Sequence, residues 1–243
     1  MSRRTINYFL FKFLFLAGTL IFCLMTSSNI IAEPGEYPNT IKALQTRYAD
    51  EIHAHRKYGL YAQTAQEEGY PNVAHLFRSL AASEAIHGKN FKRILIELGQ
   101  NPVPLPLTDI EISTTKQHLK HATTVEAEEI DNEYPNILES ITSENHQDAI
   151  ESIRYAWESE KQHRDLIVKI QEAVSSWFRV VISRIEGRAA HYHVCQVCGS
   201  TLTEVPEKFC PICNHALDNY IEVKGFPVEN KKQSEEIFDY LNH

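Results

Sequence analysis

The sequence predicts a mainly α-helical protein in which a four-helix bundle is followed by a small four-cysteine metal-binding domain. Three observations carry that prediction. Two Glu-x-x-His pairs, Glu84/His87 and Glu160/His163, stand 76 positions apart on long helical patterns. Cys195/Cys198 and Cys210/Cys213 form two CxxC knuckles near the C-terminal end. Between the second and third helical patterns, Gln100 to Leu107 (QNPVPLPL) holds three prolines, which forbid a helix and favour an extended strap.

The elements follow in order. Arg3 and Arg4 precede an apolar run from Phe9 to Met25 in which Lys12 is the only charge, and Thr26-Ser27-Ser28 follows. That is the pattern of a secretory signal peptide, and the run is nearly long enough for a tilted membrane anchor. Residues 1–32 are therefore expected to be a signal peptide or N-terminal anchor, which predicts an exported (periplasmic) or membrane-anchored protein. Translation starting at Met25 would instead leave a cytoplasmic form. Glu33 to Asn39 (EPGEYPN) reads as a linker.

A first helix fits from about Thr40 to Glu68, with Ile41, Leu44, Tyr48 and Ile52 recurring at helical steps. Gly69-Tyr70-Pro71 closes it and opens a second, Asn72 to Leu98, for which Gly99 is the stop. A third helix fits from about Ser113 to Glu133 and a fourth from about Ser143 to Ile185. Two hairpins joined by one long crossover make the ferritin-like arrangement, here spanning residues 40–186. Short turn-rich segments around the cysteines define a second domain at 190–226. The tail is 227–243, in which Lys231 to His243 is expected to form one short helix capped by Ser234.

The bundle carries ligands on every helix. Residues three apart share a helix face, so Glu84 and His87 point together, as do Glu160 and His163. Helix one offers Glu51, and helix three offers Glu126 and Glu129. Carboxylates bridge two metals and neutralise their charge, while imidazole supplies a terminal nitrogen. Five glutamates converging in a core would repel one another without cations. Ala81, Ala82, Ala85 and Ile86 around Glu84, and Ala156-Trp157 before Glu160, place these groups on buried faces rather than solvated ones. His53, His75, His118, His121 and His146 read as exposed, and His55 as a surface residue or a neighbour of the site.

The cysteine knuckles, CQVCG and CPIC, are separated by eleven residues, the spacing of a tetrathiolate site. That spacing serves iron or zinc. With four thiolates present, His191, His193 and His215 read as packing or surface residues. The acidic balance, 32 Asp+Glu against 24 Lys+Arg, argues against a nucleic-acid partner.

Taken together, ADEIHAHRKYGLYAQTAQEEGYPNVAHLF, SEAIHGKNF, the EAEEIDNEYP segment, SEKQH, CQVCG and EKFCPIC resemble the rubrerythrin family, in that order and spacing, over nearly everything from Thr40 to Lys224. The resemblance implies a non-haem di-iron peroxidase with a rubredoxin-like C-terminal domain. It implies an oxo- and carboxylate-bridged di-iron centre held by Glu51, Glu84, Glu126, Glu129, Glu160 and His163, and a tetrathiolate iron at Cys195, Cys198, Cys210 and Cys213, where zinc is the alternative. Glu84 and Glu160 would bridge, while Glu51, Glu126 and His163 would be terminal.

By the same resemblance, His87 and Glu129 would act catalytically, exchanging as ligands when the iron changes oxidation state. Tyr58 and Tyr134 would lie close to the cluster. Hydrogen peroxide would be the oxidant and an NAD(P)H-linked reductase the electron donor. A homodimer is implied, with the four-cysteine iron of one subunit facing the di-iron site of the other. Ile130 and Ser200 depart from the family's pattern, each standing where an aromatic is common. The alternatives from other classes are a ferroxidase or iron-handling protein, and a non-enzymatic zinc-ribbon interaction protein.

Overall fold

A computed structural model describes residues 36–104, 106, 110–175 and 191–225. The expected N-terminal signal or anchor, the end of the fourth helix and the C-terminal tail lie outside these residues. Among the described residues, no helix is long and apolar enough to cross a membrane.

Proline and glycine punctuate the first hairpin. Helix α1 (Pro38–Glu67) and helix α2 (Pro71–Glu97) each begin on a proline, whose missing N–H costs nothing in a first turn. Gly69 and Gly99 end them in the left-handed region, at φ 83° and 72°, and the following N–H groups of Tyr70 and Gln100 return to Ala65 and Leu95. The Glu144 carboxylate, 105 positions beyond Asn39, accepts from the Asn39 and Thr40 N–H groups at 2.8 Å and so caps α1.

After the strap, Thr114 opens α3 (Thr115–Glu128) through a capping box with Gln117. The helix does not stop near Glu133 as expected. It passes through a π-turn, Glu129–Glu133, and continues as α4 (Tyr134–Thr142). Pro135 is tolerated because it falls in the first turn after the π-turn, where its absent N–H breaks no bond. The Trp157 indole N–H donates to the Ile130 carbonyl at 2.9 Å within the π-turn. Helix α5 (Gln147–Ser175) follows a tight turn in which Asn145 takes φ 54°.

The apolar residues form two clusters, one on each side of a polar layer. On α1 the order is Leu44 and Tyr48, then Glu51, then Tyr58, Tyr61 and Ala62. On α2 it is Phe77 and Leu80, then Glu84 and His87, then Phe91, Ile94 and Leu95. Helices α3–α4 and α5 repeat the pattern around Glu126 and around Glu160 and His163. Six buried ionisable groups are thereby fixed at mid-bundle with a packed apolar core above and below them.

The C-terminal module is a three-stranded antiparallel sheet ordered β2-β1-β3, with β1 (Tyr192–Cys195) paired to β2 (Thr201–Leu202) and to β3 (Tyr220–Val223). It packs against α2 and α5 of the same chain. His75 is buried rather than exposed, because its ring meets β3 at the Val223 carbonyl and stands edge-on to Tyr192 at 5.1 Å. His118 is buried too, stacked on Tyr61 with centroids 3.7 Å apart.

Candidate metal centre

Four helices bring six of the predicted residues within ligand reach of one another. Two overlapping groups form, Glu51/Glu84/His87/Glu160 and Glu84/Glu126/Glu160/His163, and within each the ligand atoms lie within 4.8 Å of one another. Glu84 and Glu160 belong to both groups, the geometry of carboxylates shared by two ions. His87 Nδ1 is 3.0 Å from Glu84, 3.2 Å from Glu160 and 3.4 Å from Glu51. His163 Nδ1 is 2.8 Å from Glu160 and 3.3 Å from Glu84.

Glu129 belongs to neither group. Its carboxylate turns toward Arg47 at 3.5 Å. Arg47 is itself buried, with Asp50 at 2.5 Å and Glu133 at 2.7 Å, and it lies over the Tyr134 ring. Arg47 was not among the expected site residues, although it lies between Leu44 and Glu51 at the helical steps that mark the buried face. Tyr58 donates to Glu126 at 2.5 Å and Tyr134 to Glu51 at 2.8 Å, so both phenols orient carboxylates.

The donor set fits a pair of iron ions. Glu126 Oε2 is buried without a hydrogen-bond partner, and Glu84 Oε2 and His87 Nδ1 face each other at 3.0 Å without a well-aligned hydrogen bond, an arrangement that is costly unless a cation completes it. Carboxylates in majority, with one imidazole for each position, suit a hard-to-borderline divalent metal.

Without metal, the crowding shows in the protonation equilibria. Burial pushes Glu51 from 4.5 up to about 7, and burial followed by the charge of Glu160 holds Glu126 and Glu129 well above the carboxylate range. For His163 burial acts downward, but Glu84 and Glu160 outweigh it and raise the imidazole to about 10. All of these groups hold protons more tightly folded than unfolded, so metal-free stability falls as pH climbs through their folded values. Glu84 and Glu160 are shifted the other way, against burial, by the neighbouring imidazoles, and their contribution is lost only in acid. The thermal midpoint of chelator-treated protein is therefore expected to decline from neutral pH to about 10. Iron-loaded protein, whose ligands are already deprotonated, is expected to hold its midpoint over the same span. Parallel melting curves with and without iron check this.

The second centre is built from two matching knuckles. Gly199 and Asn214, each following the second cysteine of its knuckle, take φ 81° and 58°. Their N–H groups return to the Cys195 and Cys210 carbonyls at 2.9 Å. The thiols are buried and unbridged, with Cys195–Cys213 sulfurs 3.7 Å apart and Cys198–Cys210 sulfurs 3.5 Å apart. Those separations are close to the edge of a sulfur tetrahedron, roughly 3.8 Å for metal–sulfur bonds of about 2.3 Å. Ser200, Cys213 and His215 contribute backbone N–H bonds to the sulfurs.

The two centres meet at Gly199. A Cβ there would stand 2.3 Å from His87 Nε2 and 2.7 Å from Ser83 Oγ, so only glycine allows the knuckle to lie flat on the metal ligand. Ser83 donates to the Gly199 carbonyl at 2.6 Å, and Asn90 to the Val197 carbonyl at 2.8 Å. Gln162 Oε1 accepts from the Ser200 hydroxyl and the Thr201 N–H, both at 3.0 Å. The resemblance implies such a contact between two subunits, whereas the described residues make it within one chain.

A helical bundle with a shared-carboxylate two-metal layer, joined to a tetrathiolate module, defines a ferritin-like di-iron protein with a rubredoxin-like iron site. The rubrerythrin family model matches residues 42–170, more than half of the chain, and the protein belongs to that family. Rubrerythrin-2 of Clostridium acetobutylicum is 28% identical over 181 residues, 74% of this chain and 95% of that protein. Nigerythrin of Nitratidesulfovibrio vulgaris is 22% identical over 196 residues, covering 80% and 92%. Among solved structures, fully reduced, all-ferrous nigerythrin superposes with a TM-score of 0.63 at 23% identity, over 75% of this chain and 86% of that one. A bacterioferritin from Desulfovibrio desulfuricans shares the fold at a TM-score of 0.59 and 18% identity, over 63% and 90%.

Proposed function

We propose that the protein is a peroxidase that reduces hydrogen peroxide to water, taking electrons through its four-cysteine iron from an NAD(P)H-linked reductase. The observation that carries this reading is the flat seat of the Cys198-Gly199 knuckle on His87, which joins a one-electron carrier to a two-metal site in one chain. An iron store would have no need of it.

Iron at the paired site supplies the two electrons that, with two protons, convert one peroxide into two waters. The chain's own residues prepare that chemistry. Glu84 and Glu160 hold both positions, and the two apolar cores above and below exclude water. Glu129 rests on Arg47 while His87 occupies the ligand group with Glu51, and the π-turn that begins at Glu129 supplies the local slack for their exchange. Arg47 then acts as the resting place of the Glu129 carboxylate.

The test is to reduce iron-loaded protein anaerobically and mix it with peroxide. Oxidation far faster than that of free ferrous iron is expected, and oxidation no faster sinks the reading. Oxygen-dependent accumulation of many irons per chain would favour iron handling instead, and a colourless protein with zinc at the cysteines would favour a non-enzymatic role.

A homodimer is also part of this reading. Mixing a Cys213→Ser protein with a Glu84→Gln protein restores activity if electrons pass between subunits, and does not if they pass within one. In this reading residues 1–32 act as a signal peptide or anchor, and an exported form would need a reductant outside the cytoplasm, whereas a start at Met25 would leave the protein beside cytoplasmic NAD(P)H. Cell fractionation and the mass of the mature N-terminus test that placement.

A further inference from the structure

Ser200 and Tyr220 stand between the bundle and the Cys210 sulfur with too few hydrogens for the contacts they make. The Tyr220 hydroxyl lies 3.2 Å from Cys210 Sγ and 2.8 Å from the Ser200 hydroxyl. The Ser200 hydroxyl lies in turn 3.0 Å from Gln162 Oε1. Gln162 must present its oxygen here, because the same atom accepts the Thr201 N–H. Each hydroxyl has one hydrogen to give, so two hydrogens face three contacts.

Only two arrangements leave no hydroxyl pair without a hydrogen between them. In one, Ser200 gives to Gln162 and Tyr220 to Ser200, and the sulfur receives nothing from the phenol. In the other, Ser200 gives to Tyr220 and Tyr220 to the sulfur, and Gln162 keeps only the Thr201 N–H.

We propose that Ser200 and Tyr220 form a two-position hydroxyl switch, through which seating the module on Gln162 withdraws a hydrogen bond from the Cys210 sulfur and lowers the reduction potential of its iron. Hydrogen bonds to the sulfurs are among the levers that set such potentials. A donor to sulfur favours the ferrous form, in which the site carries one more negative charge. When the iron gains or loses one electron, the two hydroxyl hydrogens only reorient and no proton enters or leaves. A seated module is thus the stronger reductant where its acceptor lies, and an unseated one takes an electron more readily. The residue after the knuckle is serine, and the aromatic hydroxyl comes from β3 instead. The proposal rests on the four-cysteine iron being a one-electron carrier.

The experiment is a dithionite titration of iron-loaded full-length protein, read at the thiolate-to-iron visible bands. Gln162→Leu and Ser200→Ala each leave Tyr220 free to serve the sulfur. Each is expected to raise the ferrous-to-ferric ratio at fixed poise roughly tenfold, about 59 mV for one electron. In a Tyr220→Phe background both increases are expected to vanish. Ser200→Ala carries the test alone if Gln162→Leu disturbs the neighbouring His163. Unchanged potentials in both single variants, or an increase that survives Tyr220→Phe, overturn the switch. A wild-type protein with no redox wave at the cysteines removes the electron carrier itself, a separate failure.

Discussion

Glu84→Gln protein is expected to lose iron from the paired site while keeping the metal at its four cysteines. Glu84 is one of two carboxylates common to both ligand groups, and it is 1% exposed, so solvent cannot take its place. The amide keeps the shape but carries no charge with which to join two cations. Changing groups that merely orient a ligand costs about 10–100-fold in affinity, so a shared ligand is expected to cost more. His163 and His87 hold Glu84 ionised against burial and the charge of Glu160, so the metal-free variant, which lacks that charge, is expected to melt lower than metal-free wild type at neutral pH. Iron per chain, with the visible spectrum of the cysteine site as internal reference, checks the first point. Differential melting checks the second.

Gly199→Ala is expected to unseat the module without emptying either metal site. The residue takes φ 81°, where a side chain costs about 1–2 kcal/mol. The added methyl would also stand 2.3 Å from His87 Nε2, inside van der Waals contact. The backbone cannot satisfy both, and the seat of the knuckle on His87 gives way. Moving the electron carrier off His87 lengthens the gap that electrons cross. Reoxidation of the four-cysteine iron after peroxide addition is therefore expected to slow severalfold, with its spectrum unchanged. Ser83→Ala removes one hydrogen bond and no space, and is expected to slow the step far less. Equal rates in Gly199→Ala and wild type would mean that electrons do not cross at this contact.

The ligand layer was legible in the sequence because its geometry is local. Three-residue spacing fixes which side chains share a helix face, and the same spacing within CxxC fixes a knuckle. What depends on distant partners was not legible. Pro135 resembles a stop until the π-turn places it in a new first turn. His75 and His118 resemble surface histidines until β3 and Tyr61 cover them. Ser83, Gln162 and Tyr220 carry no spacing signal, since neutral hydroxyls and amides occur everywhere, and only the docked module gives them a role. Arg47 could have been found: a cation at helical steps between Leu44 and Glu51 must be buried beside the acidic layer.

The most direct test is the iron content of the purified, iron-loaded protein, resolved by Mössbauer spectroscopy into tetrathiolate and carboxylate-rich signals. Two unlike centres in one chain predict both signals, with twice as much iron in the carboxylate-rich signal as in the tetrathiolate one. A single signal, or iron at the carboxylates with zinc at the cysteines, would contradict them.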